Sequence, residues 1–259
     1  MSSSEVVLAG VLRALKDVAE TSVVWPDGLL NPGGPHHRLD GHLYPISIGE
    51  DECLVFGRVI ERMRPEHCYI IGNAFGLSSA YIACMMRDHG GHSVTTIDDQ
   101  SEGDGARIAG IAQSLADHLG LDGILDNLVG RSPQDIEATA KLSSYGLIFI
   151  DGLHRHPQVT RDFIGMLPYC TDETVVAFHD SWIIGVPEAV REAKKRGFHC
   201  LWIPTSCETI LTTRDPSVFA ELQRLFPEGV ENRKRRSYLY GYWLHLREVL
   251  SFRFGRLFP

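Results

Sequence analysis

The stretch Cys68–Ala83, CYIIGNAFGLSSAYIA, constrains this chain more than any other. Tyr69, Ile70 and Ile71 form a short apolar run that reads as a buried strand. Gly72 and Gly76 follow as GxxxG, Ser78 stands where a helix takes its N-cap, and Ser79–Met86 supply the helix. Strand, glycine loop and helix N-terminus in succession let a backbone approach a nucleotide-like ligand closely. A plain structural turn has the same local pattern, so the rest of the chain must decide between the two.

At 259 residues the chain can bury a large core. With 44% hydrophobic and 22% charged residues, its composition is that of an ordinary globular protein. A net charge of −8 argues against nonspecific nucleic-acid binding, which needs a basic face. Apolar runs fall short of a membrane span, so no stable membrane insertion is expected. The N-terminal MSSSEVVLAGVLRALKDVAE has charges within its apolar stretch and reads as an amphipathic helix rather than a signal peptide. Cys53, Cys68, Cys84, Cys170, Cys200 and Cys207 include no CxxC pair, which points to free thiols and a reducing, cytoplasmic setting.

A first helix is expected over residues 1–20. Residues 25–49 are rich in proline and glycine and read as irregular, but Trp25, Leu29, Leu30, Leu39, Leu43, Tyr44 and Ile46 can anchor them as an ordered cover. Further helices are expected at Glu50–Arg64, Asp104–Leu119, Pro133–Leu142, Pro157–Leu167 and Val186–Arg196. Strands are expected at His92–Ile97, Asn127–Gly130, Gly146–Ile150 and Thr174–Phe178, with an antiparallel pair at Phe198–Ile203 and Glu208–Thr212. This alternation predicts an α/β, doubly wound, seven-stranded sheet, mostly parallel with one antiparallel strand and helices on both faces. Ligands of such sheets bind beyond the carboxyl ends of the strands. Gly72, Asp98, Gly130, Asp151 and the pair His179–Asp180 each close a strand at that end.

With those residues assembled, the chain resembles the class I S-adenosylmethionine-dependent methyltransferases, in particular the catechol O-methyltransferase-like and natural-product O-methyltransferase group. Over residues 46–213, IIGNAFGLSSAYIA is similar to that group's glycine loop and TTIDDQ to its acid after strand two. LVGRSPQDI is similar to its strand-three segment, with a proline inserted; LIFIDGLHRHP and VVAFHDSW match the segments after strands four and five. The resemblance implies a Rossmann-like fold, S-adenosylmethionine as cofactor and O-methylation of a small-molecule acceptor such as a sugar, a phenol or another natural product. It implies cofactor contacts at Gly72, Asn73, Ala74, Gly76, Ser78, Asp98, Asp99, Ser132, Gln134 and Asp151. The helix N-terminus would take the cofactor carboxylate, Asp98 both ribose hydroxyls, and Gln134 or Ser132 the adenine edge.

The chain departs from the group twice. Ile70 stands where the group carries an acid for the cofactor amine, which leaves Asp151 or the 25–49 cover to serve. The group's metal-dependent members use Asp, then Asp-Asn; here the set is Asp151, His179 and Asp180. It could hold a divalent ion, Mg²⁺ or Mn²⁺, with the histidine shifting preference from Mg²⁺ towards Mn²⁺, Fe²⁺ or Zn²⁺. His154 occupies the position of the group's lysine and is the expected general base, with His179 the alternative and Asp151 beside them. His156 reads as a cap or a solvent-facing residue, and His36, His37 and His42 as exposed histidines of the cover.

The expected division is a helix and lid-like loop over 1–45, the cofactor domain over 46–215 and a helical extension over 216–259. The basic, aromatic segment from Arg233 reads as a packed helix or a homodimer contact, with a substrate-channel wall or a membrane-surface contact as alternatives. Two other functions stay open at this point. One is a cofactor-binding protein without methyl transfer, which Ile70 favours. The other, a nicotinamide-dependent oxidoreductase, is weakened by the lack of GxGxxG.

Overall fold

The structure is a computed structural model and describes residues 1–22, 37–39, 42–44, 48–101, 105–181, 185–205 and 208–231. In chain order its elements are α1 (Ser3–Ser22), β1 (His37–Leu39), β2 (His42–Tyr44), α2 (Glu50–Met63), β3 (His67–Ile71), α3 (Leu77–Asp88), β4 (Ser93–Asp98), α4 (Gly105–His118) and β5 (Leu125–Val129). There follow α5 (Ile136–Thr139), β6 (Leu147–Ile150), α6 (Gln158–Met166), β7 (Val175–Phe178), α7 (Gly185–Lys195), β8 (His199–Ile203), β9 (Thr209–Thr213) and α8 (Pro216–Leu225).

Seven strands form one sheet in the order β5-β4-β3-β6-β7-β9-β8. β9 pairs antiparallel with both of its neighbours, and the other four pairings are parallel. The seven-stranded sheet with one antiparallel strand is thus the one the alternation predicts. β6 and β7 are apolar at every position, and β3 at every position after His67, because both faces are covered. Cys68, Ile70, Leu147, Phe149, Val175 and Ala177 face one core cluster, which α1, α2, α3, α4 and α8 complete. Tyr69, Ile71, Ile148, Ile150, Val176 and Phe178 face the other, under α5, α6 and α7. Strand side chains alternate between faces, so each apolar run of four or five residues feeds both cores. Fully burying one such side chain contributes about 1.5–3 kcal/mol.

α1 inserts Leu8, Val11, Leu15 and Val18 into the same core as the sheet, so the N-terminal helix is built into the domain. α8 does likewise with Phe219 and Leu222. It starts at Pro216, and Asp215 Oδ1 accepts from the Ser217 and Val218 N–H groups at 2.6 and 3.0 Å.

Some local expectations change. α3 begins at Leu77 with Gly76 in the cap position, which places Ser78 in the first turn. The helix expected over Pro133–Leu142 is limited to Ile136–Thr139, because Asp135 closes a turn on Arg131 before it. β1 and β2 pair antiparallel inside the stretch read as irregular; three residues each are too few for a period-two signal. The rest of the expected cover and the segment from Arg233 lie outside the described residues, as do His36 and the side chains of His37 and His42.

Candidate active site

Strand register places the site. Ile71 pairs with Ile97 on β4 and with Ile150 on β6, and Ile150 pairs with Phe178 on β7. The four strands end level, so Gly72, Asp98, Asp151 and His179 share one rim. The chain runs outward from β3 to β4 and β5, then returns to β6 on the other side of β3. That reversal opens a crevice between the strand ends. A cavity of about 420 Å³ lies there. It is lined by Gly72, Asn73, Ala74, Ser78, Asp98, Asp99, Ser132, Gln134, Asp151, His154 and His179, but not by Gly76 or Asp180.

The glycines of the loop answer to packing as well as to a ligand. Gly72 has φ +91°, and a Cβ there would stand 2.2 Å from the Asp151 carbonyl oxygen. Gly76 has φ +81°, and a Cβ there would stand 2.9 Å from the Ala112 Cβ. The first therefore sets how closely β3 approaches the end of β6, and the second how closely α3 approaches α4. The first-turn N–H groups of α3 have no partner within the helix. Leu77 and Ser78 bring that positive helix end to the cavity wall.

Asp98 holds the loop. Its Oδ2 accepts from the Asn73 and Ala74 N–H groups at 2.7 and 3.1 Å, and its Oδ1 from the Gln100 N–H at 2.7 Å. Most of its acceptor capacity is thus taken by backbone. Asp99 stands next to it with Oδ2 3.5 Å from Arg131 Nε. Ile70 is fully buried in the core, so no acid reaches the cavity from that position.

At the other end two histidines stand among three carboxylates. His179 Nδ1 is 2.7 Å from Asp151 Oδ1, an ion-pair distance without hydrogen-bond alignment, and His179 Nε2 is 3.2 Å from Glu52 Oε2. His154 Nε2 is 3.5 Å from the same Asp151 oxygen, and the two rings are 5.4 Å apart. Asp180, at φ +52°, brings Oδ2 to 3.6 and 3.7 Å from Nδ1 of His154 and His179. Burial pulls His179 down, but the summed attraction of Asp151, Asp180 and Glu52 outweighs it and leaves the imidazole well above its usual value. His154 goes the other way. Burial and the neighbouring His179 charge lower it, against the opposing pull of Asp180, Asp151 and Glu52. The outcome is one imidazolium beside one neutral imidazole, a division of roles set by environment.

His154 Nε2 and His179 Nδ1 are buried and make no hydrogen bond. With an Asp151 oxygen they lie within 4.8 Å of one another, a donor set suited to a divalent cation. The side chains that could share such an ion here are Asp151, His154 and His179. His156 faces outward and pairs with Glu188.

Two residues of the site were not singled out from sequence. Glu52, on α2, is fully buried; its Oε1 accepts from the Thr209 hydroxyl at 2.7 Å and its Oε2 from the Gly49 N–H at 3.1 Å. Burial works to raise its carboxyl, but His179, Thr209 and Gly49 prevail and hold it below the usual value. Its signal was its place on the stripe Glu52, Cys53, Phe56, Val59 and Ile60, a carboxylate among core positions. Gln158, the first residue of α6, lines the cavity beside Ser132.

Residues 70–181 match the family model described as a methyltransferase domain. No curated protein matches the sequence. Among solved structures the chain is similar to an O-methyltransferase from Bacillus cereus in complex with SAH, at 17% identity and TM-score 0.56, covering 78% of this chain and 90% of that one. It is also similar to the O-methyltransferase TomG from Streptomyces achromogenes, involved in tomaymycin synthesis and in complex with SAM, at 13% identity and TM-score 0.57, covering 82% and 90%. A methyltransferase from Geobacter sulfurreducens is similar at 16% identity and TM-score 0.53, covering 79% and 88%. At these identities the likenesses establish the fold.

Proposed function

We propose that this chain, a class I S-adenosylmethionine-dependent methyltransferase, transfers the methyl group to a hydroxyl of a small-molecule acceptor. The observation that carries the reading is one cavity with two chemically distinct ends. One end has the α3 N-terminus, the loop that Asp98 holds, Ser132 and Gln134, which suit a carboxylate, a ribose and a base. The other has Asp151, His154 and His179, which suit an acidic proton next to a positive sulfonium.

The acceptor oxygen attacks the methyl carbon as the carbon–sulfur bond breaks, and S-adenosylhomocysteine leaves. Most of the acceleration comes from holding the two reactants in line. His154 is the base: its Nε2 is free of hydrogen bonds and its ring is neutral, so it takes the acceptor proton. His179 is already protonated and is held on both ring nitrogens by carboxylates, so it serves as a fixed positive charge that orients Asp151. The excess negative charge of Glu52, Asp151 and Asp180 favours the cationic cofactor.

The orphaned nitrogens favour a second reading of the same centre. Asp151, His154 and His179 would hold a divalent ion, with Mn²⁺, Fe²⁺ or Zn²⁺ suiting the nitrogen donors better than Mg²⁺. Such an ion supplies Lewis acidity for a bound hydroxyl.

The test is calorimetry of S-adenosylhomocysteine binding, followed by release of S-adenosylhomocysteine from S-adenosylmethionine across a panel of hydroxyl acceptors. Cofactor binding with methylated product supports the reading. Binding without product from any acceptor would leave a cofactor-binding protein, and tight nicotinamide binding alone would overturn both.

A further inference from the structure

We propose that Gln158 selects the adenine base of the cofactor, an assignment that rests on the S-adenosylmethionine reading above. The Gln158 side-chain amide has its orientation set by two acceptors. Its Nε2 donates to the Ser132 carbonyl oxygen at 2.7 Å and to Asp162 Oδ1 at 2.8 Å. A primary amide has two N–H donors, and both are taken. Exchanging the amide oxygen and nitrogen would set a carbonyl against two acceptors, so the neighbours permit one orientation. What remains is Oε1, which makes no hydrogen bond among the described residues, on a side chain that lines the cavity with Ser132 and Gln134. The bond to the Ser132 carbonyl holds the side chain against the segment expected to meet the base.

A lone acceptor held in one orientation reads a donor. The exocyclic amino group of adenine is a donor, whereas hypoxanthine carries an oxygen at the same ring position. That oxygen would meet Oε1 acceptor to acceptor, which rejects the wrong base. Asp162 is the positioning residue behind this. It sits one turn further along α6, is fully buried, and fixes the amide through Oδ1.

The test compares two probes by calorimetry on the full chain, S-adenosylhomocysteine and its deaminated analogue S-inosylhomocysteine. Wild type should bind the adenosyl form at least about tenfold tighter. Gln158→Met and Gln158→Leu should each weaken the adenosyl form about fivefold to tenfold, the loss expected for one hydrogen bond, and change the inosyl form less than about twofold. The ratio of the two affinities then collapses, which a purely structural role for Gln158 would not produce. Equal losses for both probes, or an unchanged ratio, in either variant that folds overturn the assignment and leave the cofactor reading intact. Failure of wild type to bind either probe overturns the cofactor reading and this assignment with it.

Discussion

Glu52 Oε2 stands 3.2 Å from His179 Nε2, a pair 127 residues apart in the chain. It ties the first turn of α2 to the end of β7 and adds to the pull of Asp151 and Asp180 that keeps the His179 imidazole raised. Removing one partner of a buried pair leaves the other charge uncompensated. Glu52→Gln should therefore lower unfolding stability by about 3 kcal/mol in urea titration. Wild-type stability in this variant would mean that Asp151 and Asp180 alone hold the imidazolium.

The same pair predicts a pH signature. His179 is raised above 6.5, so its contribution is full below 6.5 and is lost as pH rises through the raised value. Glu52 is lowered from 4.5, so its contribution is present above 4.5 and is lost as pH falls through the lowered value. His154, lowered from 6.5, acts in the opposite sense and favours the fold as pH rises towards 6.5. Subtracting Glu52→Gln from wild type removes most of the His154 effect. The difference should be largest between 4.5 and 6.5 and shrink on the alkaline side. A difference that grows above 6.5 would contradict this charge assignment.

If His154 is the base, His154→Gln should reduce turnover by about 10²–10⁴ while S-adenosylhomocysteine affinity stays close to wild type. The acid limb of wild-type turnover should lie below 6.5, since burial lowers this imidazole. An acid limb above that value would point to His179 instead.

The metal reading makes a separate prediction. Mn²⁺ titrated calorimetrically into chelator-treated protein should bind at one site, and His154→Gln, His179→Asn and Asp151→Asn should each abolish the heat. Asp180→Asn should weaken it far less. Activity that survives chelation, with no heat in wild type, would leave His154 acting as a base alone.

Gly72 and Gly90 have similar positive φ, +91° and +83°, but different surroundings. An alanine Cβ at Gly72 would meet the Asp151 carbonyl, while at Gly90 it meets open space. Gly90→Ala should cost about 1–2 kcal/mol, the left-handed backbone penalty alone. Gly72→Ala should cost at least about 1–3 kcal/mol more and weaken S-adenosylhomocysteine binding, because the displaced strand end carries Asp151. Equal losses in thermal denaturation would remove the close-approach argument.

The rim was legible because strands announce themselves locally. YII, LIFI and VVAF are apolar at each position, and Gly72, Asp151 and His179 follow directly. Alternation and right-handed crossovers limit the sheet to parallel βαβ units, but the pairing of β3 with β6 is read from the folded sheet. The residue pattern puts the helix boundary at Ser78, whereas Gly76 caps α3 through backbone geometry that such a pattern does not encode. The role of Glu52 is hidden for a related reason: a helical stripe shows which residues face the core, not what a core carboxylate meets there.

From its own order of residues the chain determines the seven-stranded sheet, the glycine loop and the delivery of Asp98, Asp151, His154 and His179 to one edge. These are consequences of local periodicity and of chain direction. Only the folded molecule decides that Asp98 supports the loop, that Glu52 reaches His179, and that the two histidines take opposite charge states. Those outcomes depend on burial and on distances of a few ångströms between residues far apart in the chain. Such quantities exist only once both cores have packed against the sheet.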